Sequence, residues 1–106
     1  MSTMNSVTEY GEFEGKFQET YELFKRNIES DDEIGASFAV YKDGKPIIDL
    51  YGGFQDRDKK ISWNKDTIVN VHSTSNGIVA MVVAKLIDKG NLELEKKVCD
   101  YWPEFS

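Results

Sequence analysis

The sequence predicts an α+β fold: an N-terminal helix, an antiparallel β-hairpin, then a buried helix. Three observations carry that reading. Residues 13–28 hold an aromatic and aliphatic stripe at helical spacing, residues 36–51 hold two strand patterns around an Asp-Gly pair, and residues 78–87 are apolar around most of a helical wheel.

Residues 1–10 are polar, rich in Ser, Thr and Asn with little to bury, and are expected to form a disordered N-terminus. Phe13, Phe17, Tyr21, Phe24 and Ile28 then recur every three or four residues, flanked by Thr20 and Leu23. Lys16, Glu19, Glu22, Lys25, Arg26 and Glu29 fill the rest of the wheel. Gly11 and Gly15 weaken the start, which places the helix at residues 15–29. Its stripe reads as core packing rather than a ligand platform.

A turn at residues 30–33 precedes the strands. Ala36, Phe38 and Val40 alternate with Ser37, Ala39 and Tyr41, and Ile47, Ile48, Leu50 and Tyr51 make the second run. Asp43-Gly44 between them signals a tight hairpin, because glycine tolerates the positive φ such a reversal needs. Pro46 has no N–H for a ladder and belongs at a strand start or edge. Gly52-Gly53 mark a bulge or a close backbone approach. Residues 55–66 read as a polar loop with at most a short strand, anchored by Trp63. Residues 67–71 return to an extended, β-branched run that leads into His72-Ser73-Thr74-Ser75.

The second helix follows. Ile78, Val79, Val82, Val83, Leu86 and Ile87, with Met81 beside them, predict burial on most sides, and Gly90 is the expected left-handed cap. Leu92 and Leu94 form a short alternation. Val98, Tyr101, Trp102, Pro103 and Phe105 make an aromatic patch.

Composition narrows the function classes. A chain of 106 residues, 40% hydrophobic and 30% charged, is one small globular domain at most. Its net charge of -6 argues against nucleic-acid and anionic-membrane partners, which need clustered Lys and Arg. No stretch reads as a secretory signal or a membrane span. Cys99 is the only cysteine, so no internal disulfide can form, and a cytoplasmic, reducing location fits. His72 is the only histidine, and no metal or cofactor is expected.

The hydroxyl cluster at residues 73–75 opens a helix, where free backbone N–H groups and the positive dipole end lie. A serine there serves as a cap or as a nucleophile.

At this point the order of elements resembles one family. The hairpin Ala39-Val40-Tyr41-Lys42-Asp43-Gly44, its end Tyr51-Gly52-Gly53, the Trp63 loop, Val69-Asn70-Val71-His72-Ser73-Thr74-Ser75, and Tyr101-Trp102-Pro103-Glu104-Phe105 resemble the N-terminal portion of β-lactamase-related serine hydrolases. These comprise class C β-lactamases, penicillin-binding-protein-like carboxypeptidases and esterases of one β-lactamase/transpeptidase-like fold. The resemblance covers the chain from about residue 11 onward. It implies that the nucleophile opens the central helix in a Ser-x-x-Lys motif, which puts it at Ser73.

Two departures follow. The position three after Ser73 is Asn76, and a carboxamide has no basic nitrogen to take the serine proton. Lys85, the next lysine on the helix, is twelve residues on, or roughly 18 Å. His72 has suitable chemistry, but adjacent side chains in an extended segment point apart. The second departure is that the family's later motifs, a Tyr-x-Asn and a Lys- or His-Thr-Gly, do not occur in these residues. The resemblance implies that they supply the activating tyrosine, one cleft wall and half of the oxyanion hole.

The expectations are therefore a disordered segment at residues 1–10 and a truncated β-lactamase-related domain at residues 11–106, catalytically inactive. Alternatively, a full-length form carries acyl transfer through Ser73. A small-molecule acyl substrate is expected only if the site is active, and self-association is expected through the exposed hairpin edge.

Overall fold

A computed structural model describes residues 4–106, which divide into two units, Met1–Ile68 and Val69–Ser106. In the first unit the sheet has four strands rather than two. They are β1 (Ser6–Thr8), β2 (Gly11–Phe13), β3 (Gly35–Lys42) and β4 (Lys45–Gly53), in the order β1-β2-β4-β3, every pairing antiparallel.

β1 corrects the expectation of disorder over residues 1–10, of which residues 1–3 lie outside the described residues. Local polar bonds and pairing hold it. The Thr8 hydroxyl donates to the Gly11 carbonyl at 2.9 Å and accepts the Tyr10 amide at 3.2 Å. β2 then lies directly on β4, with Phe13 opposite Ile48 and Gly11 opposite Leu50.

The β3–β4 hairpin forms as the sequence predicts. Asp43 (φ +51°) and Gly44 (φ +72°) both take positive φ, the signature of a two-residue turn whose twist matches the strands. Pro46 is the second residue of β4, and the register slips between Val40 and Tyr41, so that Val40 faces Ile48 while Tyr41 faces Pro46. Ile47 is the extra residue of that bulge, and its carbonyl accepts the Glu14 amide at 2.9 Å. At the other end Gly53 has φ +81°, and a Cβ there would overlap the Ile34 carbonyl, so the close backbone approach is real.

The first helix is shorter than its apolar stripe. Gly15–Phe17 form a 3-10 turn, and the α-helix proper, α1, spans Gln18–Glu29. Phe13 is not part of it. It sits in β2, 1% exposed, and stacks on Tyr21 with ring centroids 5.0 Å apart. The core is Phe13, Tyr21, Ile47, Ile48 and Leu50, with Tyr10, Phe17, Phe24 and Val40 packed against it. Ala36, Phe38 and Val40 pair with Gly52, Leu50 and Ile48, as their alternation requires. Trp63 fastens the following loop: its amide donates to the Gly53 carbonyl at 2.9 Å, next to the Phe54–Ser62 bridge.

In the second unit a 3-10 turn, His72–Thr74, runs into α2, Ser75–Asp88. α2 ends in the expected glycine cap. Gly90 takes φ +73°, its amide meets the Ile87 carbonyl and the Asn91 amide meets that of Leu86, both at 2.9 Å, which is a Schellman motif. Short 3-10 turns follow at Val98–Asp100 and Pro103–Phe105.

The burial expected of α2 is not observed. None of its residues is buried: Ile78 is 60% exposed and Val82 56%, and only Val83 and Ile87 reach the half-buried class. The reason is size. A helix of 14 residues is about 21 Å long, and two three-residue turns in its own unit cannot cover it. The α+β class and the succession helix, hairpin, helix stand as the sequence predicts, with β1 and β2 added in front of them; the cover over α2 does not. No helix among the described residues is long and apolar enough to cross a membrane.

Candidate active site at the start of α2

The residues singled out by sequence lie where a stretch without regular secondary structure, residues 67–71, meets a 3-10 turn and then the helix; the extended strand run expected there does not form. The Asn70 side-chain oxygen accepts the His72 amide at 3.1 Å, and the Val71 carbonyl accepts the Thr74 amide at 3.1 Å. These bonds tighten the entry into a 3-10 turn and set Ser73 at its centre. Asn76 then falls in the first turn of α2, three residues on.

Both Ser73 and Asn76 are exposed, and among the described residues neither side chain has a hydrogen-bond partner. Ser73 is therefore not a helix cap. The residue preceding α2 is Thr74, which takes a helical conformation and makes no side-chain cap. The 3-10 turn in front of it already supplies carbonyls to the first helical amide, since the Ser75 N–H reaches those of His72 and Ser73.

One feature escaped sequence reasoning. His72 has φ +46°, a left-handed conformation that costs a non-glycine residue about 1–3 kcal/mol. Histidine visits that region more often than most residues, but nothing in its neighbours signals it. The strain stands immediately before Ser73 and fixes the direction in which the chain enters the helix.

No base stands one turn from Ser73 on α2, because Asn76 occupies that place. Lys85 is held near the far end of the helix, with Nζ 3.4 Å from the Asp88 carboxylate. A hollow of about 260 Å³ in this unit belongs to the aromatic patch. Leu92, Leu94, Val98, Tyr101 and Trp102 line it, and neither Ser73 nor Asn76 does. No group of His, Cys, Asp and Glu side chains among the described residues is arranged to hold a metal.

Comparison with known proteins gives a consistent result. A family model described as beta-lactamase matches residues 22–106. The esterase/beta-lactamase LipL of Mycobacterium tuberculosis is 38% identical over 71 residues, which are 67% of this chain and 17% of LipL. Protein flp of Staphylococcus aureus is 26% identical over 88 residues, 83% of this chain and 18% of flp. Among solved structures, a family VIII carboxylesterase superposes with a TM-score of 0.83 at 38% identity, covering 88% of this chain and 25% of that one. The chain thus spans between about a sixth and a quarter of the length of these proteins.

Proposed function

This chain belongs to the beta-lactamase family, and from that premise we propose that its 106 residues carry the nucleophile position of a serine acyl-transfer site, Ser73, in a catalytically silent form. The observation that supports silence is Asn76. For Ser73 Oγ to bond an acyl carbon, its proton must pass to a base as the bond forms. An amide side chain three residues on accepts a hydrogen bond but not a proton at neutral pH. Losing a positioned general base costs about 10²–10⁴-fold. An exposed site forfeits further rate, because water screens every dipole aimed at the developing oxyanion.

A second reading has one observation in its favour. The strained backbone at His72 is of the kind that persists where a nucleophile must be held. On that reading a longer form performs acyl transfer through Ser73 on a small ester or β-lactam, the substrate classes named for LipL and the carboxylesterase. The net charge of -6 speaks against nucleic acid as partner on either reading, and the lone Cys99 supports a reducing, cytoplasmic setting.

The test is covalent labelling of the purified 106-residue protein with a fluorophosphonate probe, with Ser73→Ala as control. No label above the control is expected, and Asn76→Lys alone is expected to leave turnover of a chromogenic ester or β-lactam at background. Stoichiometric label on Ser73 in the folded protein would overturn the proposal.

A further inference from the structure

We propose that Asn76-Gly77 is an intramolecular deamidation site, at which the amide one turn after Ser73 becomes a carboxylate. The step draws on these two residues and water alone. The Gly77 backbone nitrogen, having given its proton to solvent base, bonds Asn76 Cγ. The bond from Cγ to the side-chain nitrogen breaks, and that nitrogen takes up a proton and leaves as ammonia. The product is a five-membered cyclic imide, whose ring nitrogen is held by two carbonyl carbons. Water adds to one of them and breaks its bond to the nitrogen. Opening at Cγ leaves an aspartate on the original main chain, and opening at the backbone carbonyl leaves an isoaspartate whose main chain runs through Cγ. One water enters, one ammonia departs, and nothing is oxidised or reduced.

Local chemistry sets Asn76 apart from the other asparagines. It alone is followed by glycine. A Cβ on the following residue crowds the attacking nitrogen, and Gly77 has none. Hydrogen bonding separates it too. The side-chain oxygens of Asn5, Asn64 and Asn70 accept the amides of Gly15, Asp66 and His72 at 2.9, 2.9 and 3.1 Å. Those bonds hold each carboxamide away from the nitrogen it would have to meet, whereas the Asn76 side chain has no hydrogen-bond partner among the described residues.

The place in the helix permits the attack. Ring closure requires the backbone at Asn76 to leave its helical φ and ψ, which the middle of a helix resists. Asn76 and Gly77 are the second and third residues of α2, and helix ends fray. No side chain caps this end, so nothing of that kind pins the pair. The product suits the place as well. The first turn of α2 holds no acidic residue, and a carboxylate there meets the positive end of the helix dipole. The modification does not depend on whether Ser73 reacts; on the reading that Ser73 is the nucleophile position, the new carboxylate arises where that serine lacks a base.

Ageing the 106-residue protein at mildly alkaline pH tests it, with fragmentation mass spectrometry of the tryptic peptide of residues 66–85, which holds both Asn70 and Asn76. Asn76 is expected to convert to acid at least about tenfold faster than Asn70, giving aspartate and isoaspartate together. Isoelectric focusing is expected to show the chain gaining one negative charge in step. Gly77→Ala adds a methyl group that meets nothing within 4 Å and strengthens the helix, and it is expected to slow the conversion at least about fivefold. Circular dichroism confirms that both chains stay folded while they age. An Asn76 that keeps its amide, one that converts no faster than Asn70, or a Gly77→Ala chain that converts as fast as the wild type overturns the proposal.

Discussion

Replacing Leu50 with alanine tests how the first unit is held together. Leu50 is 0% exposed and sits in the inner strand β4, opposite Gly11 of β2 on one side and Phe38 of β3 on the other. Truncation removes three carbons from the core, about 2.4 kcal/mol at about 0.8 kcal/mol each. A void adds to that, and the surroundings are poorly placed to collapse. Gly11 opposite has no side chain to move in, and Phe13 is already stacked on Tyr21. A total of about 3–4 kcal/mol follows, within the range seen for buried leucines. A unit of this size has a stability of only about 3–10 kcal/mol, so the loss is a large fraction of it. The assay is urea unfolding followed by Trp63 fluorescence, with Trp102→Phe as background so that one indole reports on the first unit. With a slope of about 1 kcal/mol per molar urea, the midpoint should fall by about 3 M or the protein should be unfolded without denaturant. A fall of under about 1 M would refute the packing argument.

Two further outcomes follow from the same geometry. Gly53→Ala combines a left-handed backbone with overlap on the Ile34 carbonyl and should cost about 2–4 kcal/mol, whereas Gly44→Ala, with open space around it, should cost only about 1; equal losses in thermal unfolding would contradict this. Three groups in the first unit hold their protons more tightly when folded. Burial and then the Glu9 charge raise Tyr10, Glu29 raises Lys25, and Asp49 raises Lys65 through charge and a hydrogen bond. In each case the unfolded chain loses its proton first, so stability holds below about pH 10 and falls as pH rises beyond it. The urea midpoint should be lower at pH 11 than at pH 9, and an unchanged or higher midpoint would show that these shifts carry no linkage.

The candidate site was legible only as a position. Ser73 and Asn76 could be picked out because the family motif that the chain resembles, Ser-x-x-Lys, is a short local pattern at a helix start. The left-handed His72 was not legible, because its conformation depends on how the bonds to Asn70 and Val71 draw the chain into the turn.

Much the same division runs through the fold. The Asp43-Gly44 reversal, the α1 wheel and the Gly90 cap were determined by the sequence alone, since each is decided by φ preferences and side-chain spacing within a few residues. Only the tertiary structure decided that β1 and β2 exist. Three-residue strands carry no readable period; β2 forms because β4 offers its edge to residues nearly forty positions away, and β1 folds back on β2. The same pairing took Phe13 out of the helix that its spacing suggested and placed it over Tyr21. Apolar spacing likewise marks which side of α2 seeks cover, but burial is a property of neighbours, and its own unit does not supply them.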